Sequence, residues 1–172
     1  MSEADKIRIV GIDPGTRCGF ALLEGDRVIA SGEWDLTPRR YESSGMRFVK
    51  FERSLGEMFD ILNRHNKTKT VVAYEEVRRH MGTDAAHIYG GLVAIIQAMC
   101  IKLDALEYLG IPVGTVKKQA TGKGNASKED MIAAARKHWP HIPILSENHA
   151  DALWIAESAR RLYFAQGDTK EG

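Results

Sequence analysis

Residues 7–36 read IRIVGIDPGTRCGFALLEGDRVIASGEWDL, three apolar stretches parted by two short turns. Ile7 to Ile12 forms the first stretch, Gly19 to Leu23 the second and Arg27 to Leu36 the third, with Pro14-Gly15 and Gly25-Asp26 supplying turn chemistry between them. Three consecutive strands joined this closely predict an antiparallel meander. After Ser43-Ser44 the period changes: Met46, Val49, Leu55, Met58, Phe59 and Leu62 recur at helical spacing to about His65. Thr70 to Tyr74 is a β-branched run that reads as a buried strand. A second helix is expected over residues 84–108, apolar through Ile88, Leu92, Ile95, Ile96, Met99 and Leu103. So little polar surface points to an internal helix or a subunit contact. Gly110 ends it, and a short strand is expected over 111–116. Ser127, with Asp130 three residues on, caps a helix reaching about Trp139, and the last helix starts near Ser146.

The resulting order, β-β-β-α-β-α-β-α-α, defines an α/β protein: a mixed five-stranded sheet, an antiparallel meander followed by alternating strands and helices, with helices on both faces. Functional sites in such sheets gather at the carboxyl ends of the central strands. With 172 residues, 44% hydrophobic and 27% charged, the chain suits one domain over 1–165 and a polar tail over 166–172. A net charge of +1 makes no case for nucleic acid, so such a case must come from where the charges lie. No segment is read as approaching the roughly 20 apolar residues of a membrane span, and the N-terminus lacks a signal-like apolar region, so a cytoplasmic protein without a membrane partner is expected. Cys18 and Cys100 are far apart without ligand spacing and read as reduced thiols rather than a lone disulfide.

Three carboxylates stand out. Asp13 ends the first strand, where Pro14 cannot continue a ladder; a turn Asp bonding its own loop would also fit there. In TVVAYEE, alternation puts Val71, Ala73 and Glu75 on one face and Val72, Tyr74 and Glu76 on the other. An acid completing a buried strand is costly unless paired or metal-bound, and an ordinary salt bridge to Arg78 or Arg79 is the plain alternative. Asp151 lies one turn into the last helix, with Glu147 and Asn148 able to share its face; acids at a helix start are also favoured by the macrodipole. Together the three place carboxylates at two strand ends and on a helix that could cross beside them. Converging carboxylates raise one another's pKa unless cations neutralise them, and an all-oxygen set suits Mg²⁺, with Mn²⁺ as substitute. From Tyr108 to Lys128 the chain carries Lys117, Lys118, Lys123 and Lys128 with no acid, a segment suited to phosphate contact or to a solvated loop.

These residues carry a resemblance. Over roughly residues 7–160 the chain resembles the RuvC-type Holliday-junction resolvases, especially their phage-encoded relatives. GIDPGT around Asp13 looks like the family's first catalytic strand, AYEEV puts Glu75 rather than Glu76 on its catalytic glutamate, and ADALWIA puts Asp151 on its final aspartate. VKKQATGKGNASKED resembles the basic glycine-containing segment, with Lys117 and Lys128 on the two functional lysines. The resemblance implies an RNase H-like fold and a homodimeric, Mg²⁺-dependent endonuclease. Such an enzyme cuts four-way junctions and other branched DNA in recombination and repair, leaving 5′-phosphate and 3′-hydroxyl ends. It also implies a bacterial or phage-infected cell. Two departures matter. Asn148 stands where many members have an Asp or His, leaving Asn148, Glu147 or His149 to complete the metal site. Arg78, Arg79 and His80 stand where cellular members carry a stacking aromatic, and the two arginines are assigned to DNA.

Lys117 is also a candidate for stabilising charge at the scissile phosphate. An RNA-processing nuclease of the same fold and a non-catalytic branched-DNA-binding module are the alternatives. GIDPGTRCGF also resembles the phosphate loop of actin-like ATPases, but those need two such domains to close on a nucleotide.

Overall fold

The structure, a computed structural model, describes residues 7–64, 69–80 and 82–167. His65, the expected end of the first helix, and residues 168–172 of the expected tail lie outside this set. Strands β1 (Ile7–Asp13), β2 (Arg17–Glu24) and β3 (Arg27–Asp35) form the meander. Helix α1 (Met46–Arg64), strand β4 (Lys69–Glu76), helix α2 (Thr83–Lys102) and strand β5 (Glu107–Pro112) follow. Helices α3 (Val113–Thr121), α4 (Lys128–His138) and α5 (Glu147–Gly167) complete the chain. The sheet order is β3-β2-β1-β4-β5, antiparallel within the meander and parallel from β1 through β4 to β5.

Two expectations near the middle of the chain are corrected. The helix expected over 84–108 stops at Lys102, because Asp104 takes a left-handed φ of 56° that a helix cannot carry. The strand expected over 111–116 lies earlier, and a helix, α3, occupies 113–121. Val113, Thr115 and Val116 had suggested strand, but Pro112 at the N-cap and Gly122, left-handed at φ 81° after the last turn, bound a helix. Lys117 and Lys118 therefore ride on a helix rather than a loop. The expected cap of α4 is present: Ser127 Oγ accepts the Asp130 N–H at 3.1 Å and the Asp130 carboxylate accepts the Ser127 N–H at 3.0 Å.

The sheet is covered on both faces. On one side α1 lays Phe51, Leu55, Met58, Phe59 and Leu62 beside Leu92, Ile96, Met99 and Cys100 of α2, over Val10, Ile12, Val72 and Tyr74. Cys18 and Cys100 are both buried free thiols. On the other side α5 lies against Ile9, Ala21, Val71 and Ala73, with α3 and α4 packed outside it. Residues 152–159 are buried on every side of α5, which accounts for its alanine-rich sequence. By length and composition α2, at a mean hydropathy of 1.4, is apolar enough to cross a membrane, contrary to the sequence reading. In the fold one side of α2 packs in the core, while Gly90, Ala94, Ala98 and Ile101 are exposed on the other.

Candidate active site

Strand pairing and alternation bring the acids together. Ile12 pairs with Tyr74 in the parallel ladder of β1 and β4, so Asp13 and Glu75 are the next residues along two strands about 4.8 Å apart. Both follow the face that α5 covers, since Ile9 of β1 and Val71 and Ala73 of β4 belong to that core. Glu76 falls on the opposite face, where its carboxylate lies 3.5 Å from Arg78. Asp13 pairs with Gly19 across the β1–β2 ladder. Glycine is required at Gly19 and Gly11 for one reason. A Cβ at Gly19 would collide with the backbone carbonyl of Asn148, and one at Gly11 would stand 2.8 Å from Ala156 Cβ and strike the Ala152 carbonyl. Helix α5 thus rests directly on the strand backbones, and its first turns, with Asp151, cross beside Asp13.

The electrostatics agree with this geometry. Burial, then Glu75, Asp151, Glu147 and Glu33 in turn, pushes the Asp13 carboxyl well above the usual carboxylate range. Burial and the neighbouring Glu75 and Glu147 push Asp151 up to about 7, with Lys117 and Lys128 opposing. Glu75 is also raised, mainly by burial, with Lys117 pulling the other way. Among the described residues none of these three carboxylates accepts a hydrogen bond or forms an ion pair. Buried anions in that condition are costly, and cations are what they lack. As their side chains stand, no three His, Cys, Asp or Glu groups among the described residues close tightly on one point. The backbone placement nevertheless gathers an all-oxygen anionic set, the donor chemistry that a hard divalent cation requires.

Around the trio, Lys128 Nζ lies 2.8 Å from Glu147 Oε2, and the charge of Lys117 reaches both Glu75 and Asp151. Lys118 and Lys123 are exposed on and just after α3, and Arg78 and Arg79 are exposed on the loop after β4, beyond the same strand end. Of the candidates for a fourth ligand, the structure excludes His149 and keeps Glu147 and Asn148. His149 is buried and used internally: Nδ1 accepts the Leu145 N–H at 3.1 Å, which leaves Nε2 protonated to donate to Ser31 Oγ at 2.8 Å. Asn148 Nδ2 donates to Glu33 Oε2 at 3.0 Å. Glu147 alone adds negative charge felt by Asp13, Glu75 and Asp151.

Sequence reasoning passed over two supporting residues. Glu33 of β3 accepts hydrogen bonds from Ser146 Oγ at 2.6 Å, Asn148 Nδ2 and Arg17 Nε at 2.8 Å, tying the meander to the start of α5. Burial would raise its pKa, but these donors hold it below the usual range. Tyr89 of α2 donates its hydroxyl to the Glu75 carbonyl at 2.8 Å and accepts the Val77 N–H at 3.0 Å, clamping the end of β4. Neither Glu33 nor Tyr89 sits in a motif; only the tertiary pairing reveals them.

Comparison with known proteins gives the family. The crossover junction endodeoxyribonuclease RuvC of an Anaeromyxobacter species is 30% identical over 155 residues, spanning 86% of this chain and 69% of that protein. The chain belongs to the RuvC family. RuvC of Bartonella bacilliformis is 29% identical and covers 94% of this chain and 96% of its own. No protein-family profile matches the chain. Among solved structures, Thermus thermophilus RuvC in complex with a Holliday junction substrate superposes with a TM-score of 0.73 at 22% identity, covering 93% of this chain and 96% of that one. The yeast mitochondrial Holliday junction resolvase Ydc2 superposes at a TM-score of 0.54 and 15% identity. These superpositions establish the fold, the RNase H-like mixed sheet of RuvC.

Proposed function

We propose that this RuvC-family chain is a metal-dependent endonuclease for four-way DNA junctions, with Asp13, Glu75 and Asp151 as its metal-holding carboxylates and Mg²⁺ as the metal. The observation that carries the reading is the convergence, from β1, β4 and α5, of three half-buried carboxylates without a hydrogen-bond or ion-pair partner among the described residues. Bound divalent ions would supply Lewis-acid stabilisation of the phosphate and an activated water, giving 5′-phosphate and 3′-hydroxyl ends.

The chain's own residues do the rest. Asp13 and Glu75 hold their carboxylates on rigid strand ends, and Tyr89 keeps the second of these from fraying. Glu147 adds a fourth anionic group, and Asn148, whose Nδ2 donates to Glu33, keeps its amide oxygen for the metal. Lys117, facing Glu75 and Asp151, is set to stabilise charge developing on the scissile phosphate. Lys118, Lys123, Lys128, Arg78 and Arg79 surround the site as phosphate contacts, and the exposed arginines can also stack on unpaired bases.

Two opposed cuts in one junction require two sites, and α2 is the surface for a homodimer. Its exposed Gly90, Ala94 and Ala98 repeat every four residues, so a second α2 can approach closely, flanked by exposed Ile101. A substrate of this kind places the protein in the bacterial cytoplasm, with the DNA.

The deciding experiment incubates labelled four-way junction, linear duplex and RNA–DNA hybrid with the protein and Mg²⁺ or Mn²⁺. Paired nicks near the branch point, absent without metal, are expected. Equal cutting of all three substrates would remove the junction specificity, and junction binding without any cutting would leave only a binding module.

A further inference from the structure

Behind the acidic cluster, α3, α4 and α5 enclose a cleft of about 640 Å³, a size typical of ligand sites, which run to about 300–1,000 Å³. Its rim carries Lys123, Lys137 and Arg161, and its one acid, Asp130, is turned to the end of α4, where it caps Ser127. Neither Lys123 nor Lys137 has an ion-pair partner among the described residues. Arg161 shares its Nε with the buried Glu157 at 2.7 Å and lies over the Trp154 ring, 5.9 Å from its centroid. Trp154 forms part of the wall at 3% exposure, and its indole N–H has no acceptor. A buried donor without a partner is costly, and the three cations of the rim outnumber its one acid.

The position of the cleft along α5 indicates which anion. At about 1.5 Å per residue, Trp154 lies about 5 Å and Arg161 about 15 Å beyond Asp151 along the helix axis. A DNA strand advances roughly 3.4 Å per nucleotide, so the cleft extends from roughly one to roughly four nucleotides beyond the acidic cluster. Lys123 follows Lys117 by six residues, so α3 and the turn after it lead from one place to the other. We infer that this cleft seats backbone phosphates of the DNA arm leaving the acidic cluster, a second anchor on the strand being cut. This rests on the reading of the chain as a junction nuclease.

The test measures binding rather than cleavage, in an Asp13→Asn background, using a fluorescent four-way junction titrated across a range of salt concentrations. Lys137→Gln should weaken binding about three- to ten-fold and lower the slope of log affinity against log salt by about one. Adding Lys123→Gln should lower it further. The side chains of Lys123, Lys137 and the control Arg136, which does not line the cleft, are all exposed, so folding is not at issue. Arg136→Gln should change the slope little. An unchanged slope in Lys137→Gln, with the parent binding tightly, overturns the anchor and leaves the nuclease reading intact. A parent that binds no branched DNA overturns both. Inorganic phosphate or a mononucleotide binding in the cleft as tightly as the arm would assign it to a free phosphate ligand and overturn the DNA source.

Discussion

The two faces of the sheet are equally buried and differently built. On the face covered by α1 and α2 the strands offer Val10, Ile12, Leu22, Val72 and Tyr74, and the helices answer with Phe51, Leu55, Phe59 and Ile96. Large side chains keep those helices at the ordinary distance from the strands. On the face covered by α5 the strands offer Gly11, Gly19, Ala21 and Ala73, and the helix answers with Ala152 and Ala156, so backbone meets backbone. That close approach brings Asp151 beside Asp13 and Glu75. Adjacent residues on β4 show the consequence: Glu75 is half-buried near Glu147 and Lys117 with its carboxyl raised, while Glu76, on the other face, pairs with Arg78. Chemistry sits where the packing is thinnest, because only there can a helix deliver a side chain to the strand ends.

The largest test of this contrast compares the two glutamates. Glu75→Gln and Asp13→Asn should each lower junction cleavage by about 100-fold or more. Glu76→Gln should leave it within about three-fold. Comparable losses at Glu75 and Glu76 in single-turnover rates would show that face, and hence α5, does not decide which acid is catalytic. Next comes the close approach itself. Gly11→Ala places a methyl group against the Ala152 carbonyl and Ala156, and should destabilise the fold by about 3 kcal/mol in urea denaturation, at the upper end of overpacking costs. A loss under about 1 kcal/mol would mean that α5 can back away, and the acids with it.

Much of this was legible in the sequence, and the reasons differ by region. The meander, the buried fourth strand and the capped α4 follow from local signals: turn residues, alternation and a reciprocal cap. Alternation also separated Glu75 from Glu76. The ends of α2 and β5 and the whole of α3 were misread because β-branched residues at 113–116 resemble a strand, and because nothing in Asp104 announces a left-handed backbone. Which residue would stand in for a carboxylate at position 148 was open in the sequence, since Glu147, Asn148 and His149 are consecutive. Tertiary partners separate one of them: the Leu145 N–H and Ser31 Oγ occupy both ring nitrogens of His149, while Glu33 takes only Nδ2 of Asn148 and leaves its amide oxygen free to ligate alongside Glu147. The cleft behind α5 joins residues from three helices and has no signature along the chain.

The third test separates stability from activity on the α5 face. Asp151 has a folded pKa of about 7 against an ordinary 3.8, so between those values the folded chain holds a proton that the unfolded chain releases. Stability from this group is therefore full below about pH 4, falls as pH rises to about 7, and stays low above it. Without metal at pH 8, Asp151→Asn should be more stable than the natural chain by about 1–2 kcal/mol while being inactive, and the advantage should vanish near pH 4. Divalent metal should stabilise the natural chain more at pH 8 than at pH 6, because protons compete for the same oxygens. An Asp151→Asn protein less stable than its parent at every pH would mean that the carboxylate holds the fold together rather than strains it.

The smallest effect belongs to the other face and carries the opposite sign. Gly56 lies within α1, and a Cβ there would meet only Met99 Cε at 3.6 Å, an ordinary contact with the end of a flexible side chain. Alanine loses less backbone freedom in a helix than glycine, so Gly56→Ala should stabilise the fold by about 0.5–1 kcal/mol. The same glycine-to-alanine change thus distinguishes the two faces by sign: on one it fills tolerant apolar packing, on the other it drives a helix from the strands that set its catalytic residue. Junction cleavage by Gly56→Ala should match the parent, since the new methyl meets only Met99 Cε. A destabilising Gly56→Ala, measured by the same urea titration as Gly11→Ala, would show that both faces are packed to the same tolerance, and the distinction between them would have to rest on charge alone.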